Sequence, residues 1–143
     1  MPTLKADPIL TTSYDDRFPP EAAFGGDGKK FFSTTGMFPQ EILVAFPDYP
    51  SGVNLARVIL ITTGIKGLKI LKCTETNPSS FESLVECDLN PPAREGDLQR
   101  EQFQISKGSA ASGIRFVKLI VESGHAPFVT FRSVVFEGET NTA

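Results

Sequence analysis

A chain of 143 residues with 40% hydrophobic and 22% charged side chains has enough apolar material for one folded core, which excludes wholesale disorder. Its formal charge of -3, with lysines scattered rather than striped, excludes a nucleic-acid binder that works by neutralising phosphates. The opening segment has no apolar run long enough for a signal peptide, and Val58-Ile59-Leu60-Ile61 is too short to span a bilayer, so the expectation is a soluble intracellular protein.

In chain order, the apolar runs predict strands at residues 9–13, 31–34, 41–46, 57–63, 68–74, 81–88, 99–106, 114–122 and 129–137. Several alternate apolar with polar residues, as in Leu68-Lys69-Ile70-Leu71-Lys72 and Phe103-Gln104-Ile105. That period suits a half-buried antiparallel strand, whose successive side chains point to opposite faces. Between the runs stand breakers: Pro19-Pro20, Gly25 to Gly28, Pro47 to Gly52, Asn77-Pro78, Asn90 to Pro92, Gly108 and Gly124. Twelve Gly and 11 Pro, evenly spread, leave no room for a long helix. One helical turn is predicted at Pro20-Glu21-Ala22-Ala23-Phe24, with Pro at its start. Short strands at this spacing predict an all-β antiparallel sandwich or jelly roll. A single domain is expected over residues 1–138, with 139–143 a flexible tail.

Little in the sequence points to catalysis. Gly28-Lys29 is followed by Lys30 and then a strand, so the Walker spacing and its helix are both missing. His125, the sole histidine, sits in a turn and reads as solvated, and Gly108 to Gly113 lacks the spacing of a nucleophile elbow. One His with Cys73 and Cys87 does not build a zinc site, and the two cysteines read as reduced thiols in a structural role. Calcium stays open, because it accepts carbonyl oxygens from a glycine-rich loop and Asp27 supplies a carboxylate. With no Trp, and with Tyr14 and Tyr49 the only tyrosines, flat platforms for a glycan are scarce. Met37-Phe38-Pro39 and Phe46-Pro47-Asp48-Tyr49-Pro50 are apolar loops that fit either core packing or a protein partner.

The string Ser33-Thr34-Thr35-Gly36-Met37-Phe38-Pro39-Gln40-Glu41, preceded by Pro19-Pro20-Glu21, resembles the intraflagellar transport protein 25 family, also filed as a small heat-shock protein (beta-11-like). Leu68-Lys69-Ile70, Glu95 to Gln99, Gly108-Ser109-Ala110, Arg115-Phe116, Ser133-Val134 and Glu137-Gly138 follow in the family's order. The resemblance implies a galactose-binding-like (discoidin-type) jelly roll. It also implies a non-catalytic subunit of the intraflagellar transport B complex, paired with a Rab-like small GTPase and carrying cargo in the cilium or flagellum. Localisation to the cilium and to the cytoplasm near the basal body follows from it. Met37 and Phe38 are the expected partner-binding residues.

The family's calcium loop has the pattern Asp-Gly-Asn-Pro-x-Thr-x-Trp, which falls here on Gly25-Gly26-Asp27-Gly28-Lys29-Lys30-Phe31-Phe32. Gly25 and Lys30 replace two oxygen ligands, and Phe32 takes the place of the core-plugging Trp. Calcium binding is therefore expected to be weakened or lost, with the Lys30 ammonium where the ion would sit. Asp27 and Glu137 are the remaining candidate ligands, and no cofactor is required. Two other readings are a calcium-dependent glycan- or lipid-binding module, suggested by the fold, and a holdase chaperone. The latter draws on Ile59-Leu60-Ile61, which core packing explains better.

Overall fold

The computed structural model describes residues 3–13, 17–24, 31–34, 37–91, 98–105, 112–125 and 129–140. Within them are ten strands: β1 Thr3–Leu4, β2 Asp7–Thr11, β3 Phe32–Ser33, β4 Gln40–Ala45, β5 Val53–Thr63, β6 Ile65–Cys73, β7 Glu82–Asp88, β8 Gln99–Gln104, β9 Phe116–Gly124 and β10 Thr130–Thr140. Pro20–Ala23 forms a 3-10 turn with no α-helix elsewhere among the described residues. The strands make two antiparallel sheets. One runs β1-β10-β5-β8 with β3 also pairing β10, and the other runs β2-β4-β9-β6-β7.

The period-two pattern decides which side chains meet between the sheets. On β4, Ile42 and Val44 turn inward while Glu41, Leu43 and Ala45 turn out. On β9, Val117, Leu119 and Val121 face in, opposite Leu60 and Val58 of β5 and Val134 and Phe136 of β10 in the shared core. Phe32 and Phe131, cross-strand partners on β3 and β10, are both buried and stack with ring centroids 5.8 Å apart. Phe32 thus fills the core, as its place in the family pattern implied. Phe46 meets Phe136 edge-on at 5.3 Å, the geometry the ring quadrupole favours.

The nine expected strands are all present, with shifted ends. β6 starts at Ile65, three residues ahead of the expected position, because Gly64 at φ +81° takes the left-handed backbone and sends the chain from one sheet to the other. β10 continues through Glu139 and Thr140, which pair with Asn54 and Val53, two residues past the boundary expected for the tail. β1, only two residues long, pairs with the far end of β10 at Glu137 and Phe136. The expected helical turn appears as the 3-10 turn, closed by the Phe24 N–H donating to the Glu21 carbonyl at 3.1 Å.

Candidate partner-binding surface and the calcium loop

Of the two carboxylates considered for calcium, Asp27 lies outside the described residues, as do Gly25 and Lys30. Glu137 is described, and its carboxylate stands 3.3 Å from the Arg57 guanidinium on the outer face of the first sheet. Where the chain resumes after the glycine-rich segment, Phe32 faces Phe131, which is six residues from Glu137 along β10, or about 20 Å. Glu137 is therefore paired with a cation and lies well along β10 from the end of the segment at Phe31, while Phe24, at its start, lines a hollow with Val134 and Val135 of the same strand. Among the described residues, no group of three or more His, Cys, Asp or Glu side chains is placed to hold a metal.

Met37 and Phe38 are adjacent in sequence but have different surroundings. Met37 is 88% exposed, while Phe38 is half-buried and packs against the core. The backbone beside Met37 is fixed from below: the Gln40 amide donates to the Met37 carbonyl at 2.6 Å, and Ser13 Oγ donates to the Gln40 side-chain oxygen at 2.7 Å. An apolar side chain is thus held in solvent on a structured base. Phe38 contributes to stability, and a charge there would disturb the core.

The outer face of the second sheet is laced with charge. Lys69 lies 3.3 Å from Glu122 and 3.5 Å from Glu86, and its hydrogen bond to Glu122, with the charges of both carboxylates, raises the ammonium pKa above its ordinary range. Lys118 reaches Glu41 at 3.5 Å and sits over the Phe81 ring at 4.2 Å from its centroid. Such interleaved signs suit a solvated face.

Cys73 and Cys87 lie on adjacent strands, but Cys87 faces Leu68, five residues and about 17 Å along β6 from Cys73, too far for a disulfide. Cys73 is buried as a small apolar group. Burial, with the charges of Glu101 and Asp88, pushes the Cys87 thiol up, which keeps it protonated and unreactive at neutral pH. His125 is exposed, as expected of a solvated residue, and its ring also makes a structural contact. Its Nε2 lies 2.9 Å from the Leu89 carbonyl and so carries the proton, and its backbone N–H donates to Gly64. Ile59-Leu60-Ile61 is interior to β5, with Leu60 fully buried.

One buried polar residue escaped the sequence reading. Gln99, 5% exposed, accepts from the Ile65 N–H at 2.9 Å through Oε1. Its Nε2 donates to the Ile65 carbonyl at 2.8 Å and to the Asn90 carbonyl at 3.1 Å. The amide thus joins β8 of one sheet to the first residue of β6 in the other.

No family model matches the chain. Among solved structures it resembles a galactose-bound family 32 carbohydrate-binding module of Clostridium perfringens NanJ, with a TM-score of 0.72 at 11% identity, covering 92% of this chain and 93% of that one. A second module, CBM32-3 from a family 31 glycoside hydrolase of the same species, gives 0.75 at 14% identity over 96% and 95%. At those identities the likeness is one of fold, and it makes the sandwich a galactose-binding-like jelly roll. The sequence relatives go further. The human protein named intraflagellar transport protein 25 homolog is 36% identical over 130 residues, 91% of this chain and 84% of its own length. The Chlamydomonas reinhardtii intraflagellar transport protein 25 is 30% identical over 131 residues, 91% of this chain and 64% of its own. On the alignment with the human protein, and with the jelly roll that the motif led one to expect, the chain belongs to the intraflagellar transport protein 25 family.

Proposed function

We propose that this chain is a non-catalytic subunit of the intraflagellar transport B complex that forms a heterodimer with a Rab-like small GTPase and supports cargo transport. It would work in the cilium or flagellum and in the cytoplasm near the basal body. The observation that carries the reading is the alignment over nine-tenths of the chain with relatives named for intraflagellar transport. Within that reading Met37, exposed on a fixed backbone, is the first residue to test as a contact. The chain purified from ciliated cells is expected to bring down a small GTPase in equimolar amount. Met37→Glu is expected to weaken that pairing about tenfold, as a charge in an apolar contact does, with the circular dichroism spectrum unchanged. A complex that forms equally well with Met37→Glu removes Met37 from the interface. Absence of any equimolar GTPase overturns the heterodimer.

The same reading needs no calcium. Lys30 brings a cation to the place of a ligand oxygen, and Arg57 occupies Glu137. Calorimetric titration of the pure protein with calcium is expected to show no binding below millimolar concentration. Sub-millimolar affinity abolished by Asp27→Ala would restore the ion to this loop.

A further inference from the structure

β2 buries neither of two consecutive apolar residues. In an edge strand packed on one face, one of two consecutive residues belongs in the core, yet Ile9 is 51% exposed and Leu10 66%. The cause is a bulge. Pro8 faces Val44 and Leu10 faces Leu43, which leaves Ile9 as an extra residue without a partner on β4.

These two side chains line a hollow of about 240 Å³ between β2 and the 3-10 turn, where Glu21 forms the opposite rim. Pro8 and Glu21 also line a neighbouring hollow of about 430 Å³, walled by Ala23, Phe24 and Val134. The two hollows adjoin at Pro8 and Glu21 to make one groove, apolar in its larger part and mixed beside Ile9 and Leu10. Its charged rim holds Asp7 and Glu21 against Lys5, which is already engaged by Asp48 at 3.4 Å. Net negative charge is what remains among the described residues.

The free edge of β2 is poorly suited to adding a strand. Pro8 has no N–H to offer, and the bulge interrupts the ladder beside it, two devices that blunt an edge against sheet extension. Recognition at this edge must then run through side chains. We propose that the groove between β2 and the 3-10 turn docks a segment of a partner protein bearing a bulky apolar side chain beside a Lys or Arg. The apolar group packs on Ile9 and Leu10 and the cation sits against Glu21 and Asp7. This rests on the reading of the chain as an interaction subunit and adds the chemistry of one contact.

The test is selection from a phage-displayed random peptide library on the full chain. Enrichment of peptides that pair a bulky apolar residue with Lys or Arg is expected. A synthesised winner, followed by fluorescence anisotropy, is expected to bind Leu10→Glu about tenfold more weakly. Selection on Glu21→Lys is expected to turn from basic to acidic peptides. Both positions are exposed, so the variants keep the parent's circular dichroism spectrum, and Leu10→Ser serves as a milder second variant. No enrichment over bare support overturns the proposal, as do winners that bind Leu10→Glu and Leu10→Ser undiminished. Self-association in the ultracentrifuge that Leu10→Glu abolishes gives the groove to a second copy of this chain, and also overturns it. Peptide binding without an equimolar GTPase would leave the groove standing and remove the heterodimer, and the converse result would do the opposite.

Discussion

Replacing Gln99 with methionine is expected to lower the unfolding free energy by about 3 kcal/mol, a large share of a typical domain's 5–15 kcal/mol. Methionine matches glutamine in length and volume, so the packing changes little and the lost hydrogen bonds account for the effect. The Ile65 N–H and C=O, at a fully buried residue, would both be left without their partner. Each such group costs about 1–3 kcal/mol. Asn90 is exposed, so its carbonyl can turn to water and adds little. Thr62 Oγ1 reaches Gln99 only at 3.4 Å, and Thr62→Val is expected to cost well under the methionine change. Urea denaturation of both variants checks this. A Gln99→Met midpoint within error of the parent would show that the amide does not hold the two sheets together.

The second large effect is expected at Gly52. Its φ of +82° lies in the left-handed region, and a Cβ built there would come 2.7 Å from the Gly113 carbonyl carbon and 2.8 Å from its oxygen. Neither neighbour is a flexible side-chain end. The Gly113 backbone is held by its N–H donating to Asn54 Oδ1 at 3.1 Å, and the next residue exchanges two backbone bonds with Val53 at 2.8 and 2.9 Å. Gly52→Ala therefore combines conformational strain with an overlap that only backbone movement relieves. A loss of about 3 kcal/mol is expected. Native-state hydrogen exchange should show the Val53 and Ile114 amides losing protection first. Unchanged protection at those two amides would mean that the turn accommodates the methyl group.

The strands were legible because their alternation is regular and their ends carry Gly, Pro, Asn or Asp. Where the reading slipped, a tertiary cause is visible. The start of β6 was hidden because Gly64 looks like the end of an element, although it is a corner between sheets. β1 has two residues and exists only because β10 lies beside it. Gln99, at the head of a polar strand, reads as surface, and only the passage of β8 beside the β5–β6 corner buries it. At the candidate surface, Met37 is exposed and Phe38 is half-buried, a split that adjacent apolar residues in a loop do not announce. Ile9 and Leu10 were hidden for the opposite reason. Alternation assigns one of them to the interior, and a bulge leaves no mark in composition.

β10 pairs with β5, β3 and β1, so the last strand of the chain is the partner of its earliest elements. During synthesis from the N-terminus, β1 and β3 emerge long before the strand they need. The first sheet cannot close from local contacts, and its nucleus must bring sequence-distant segments together, the slow kind of folding. Until then the apolar residues of β5 lack one of their two flanking strands while the nascent chain waits. Premature termination just before β10 would leave β1 and β3 without a partner and one edge of β5 bare, a product suited to degradation and not to partial function.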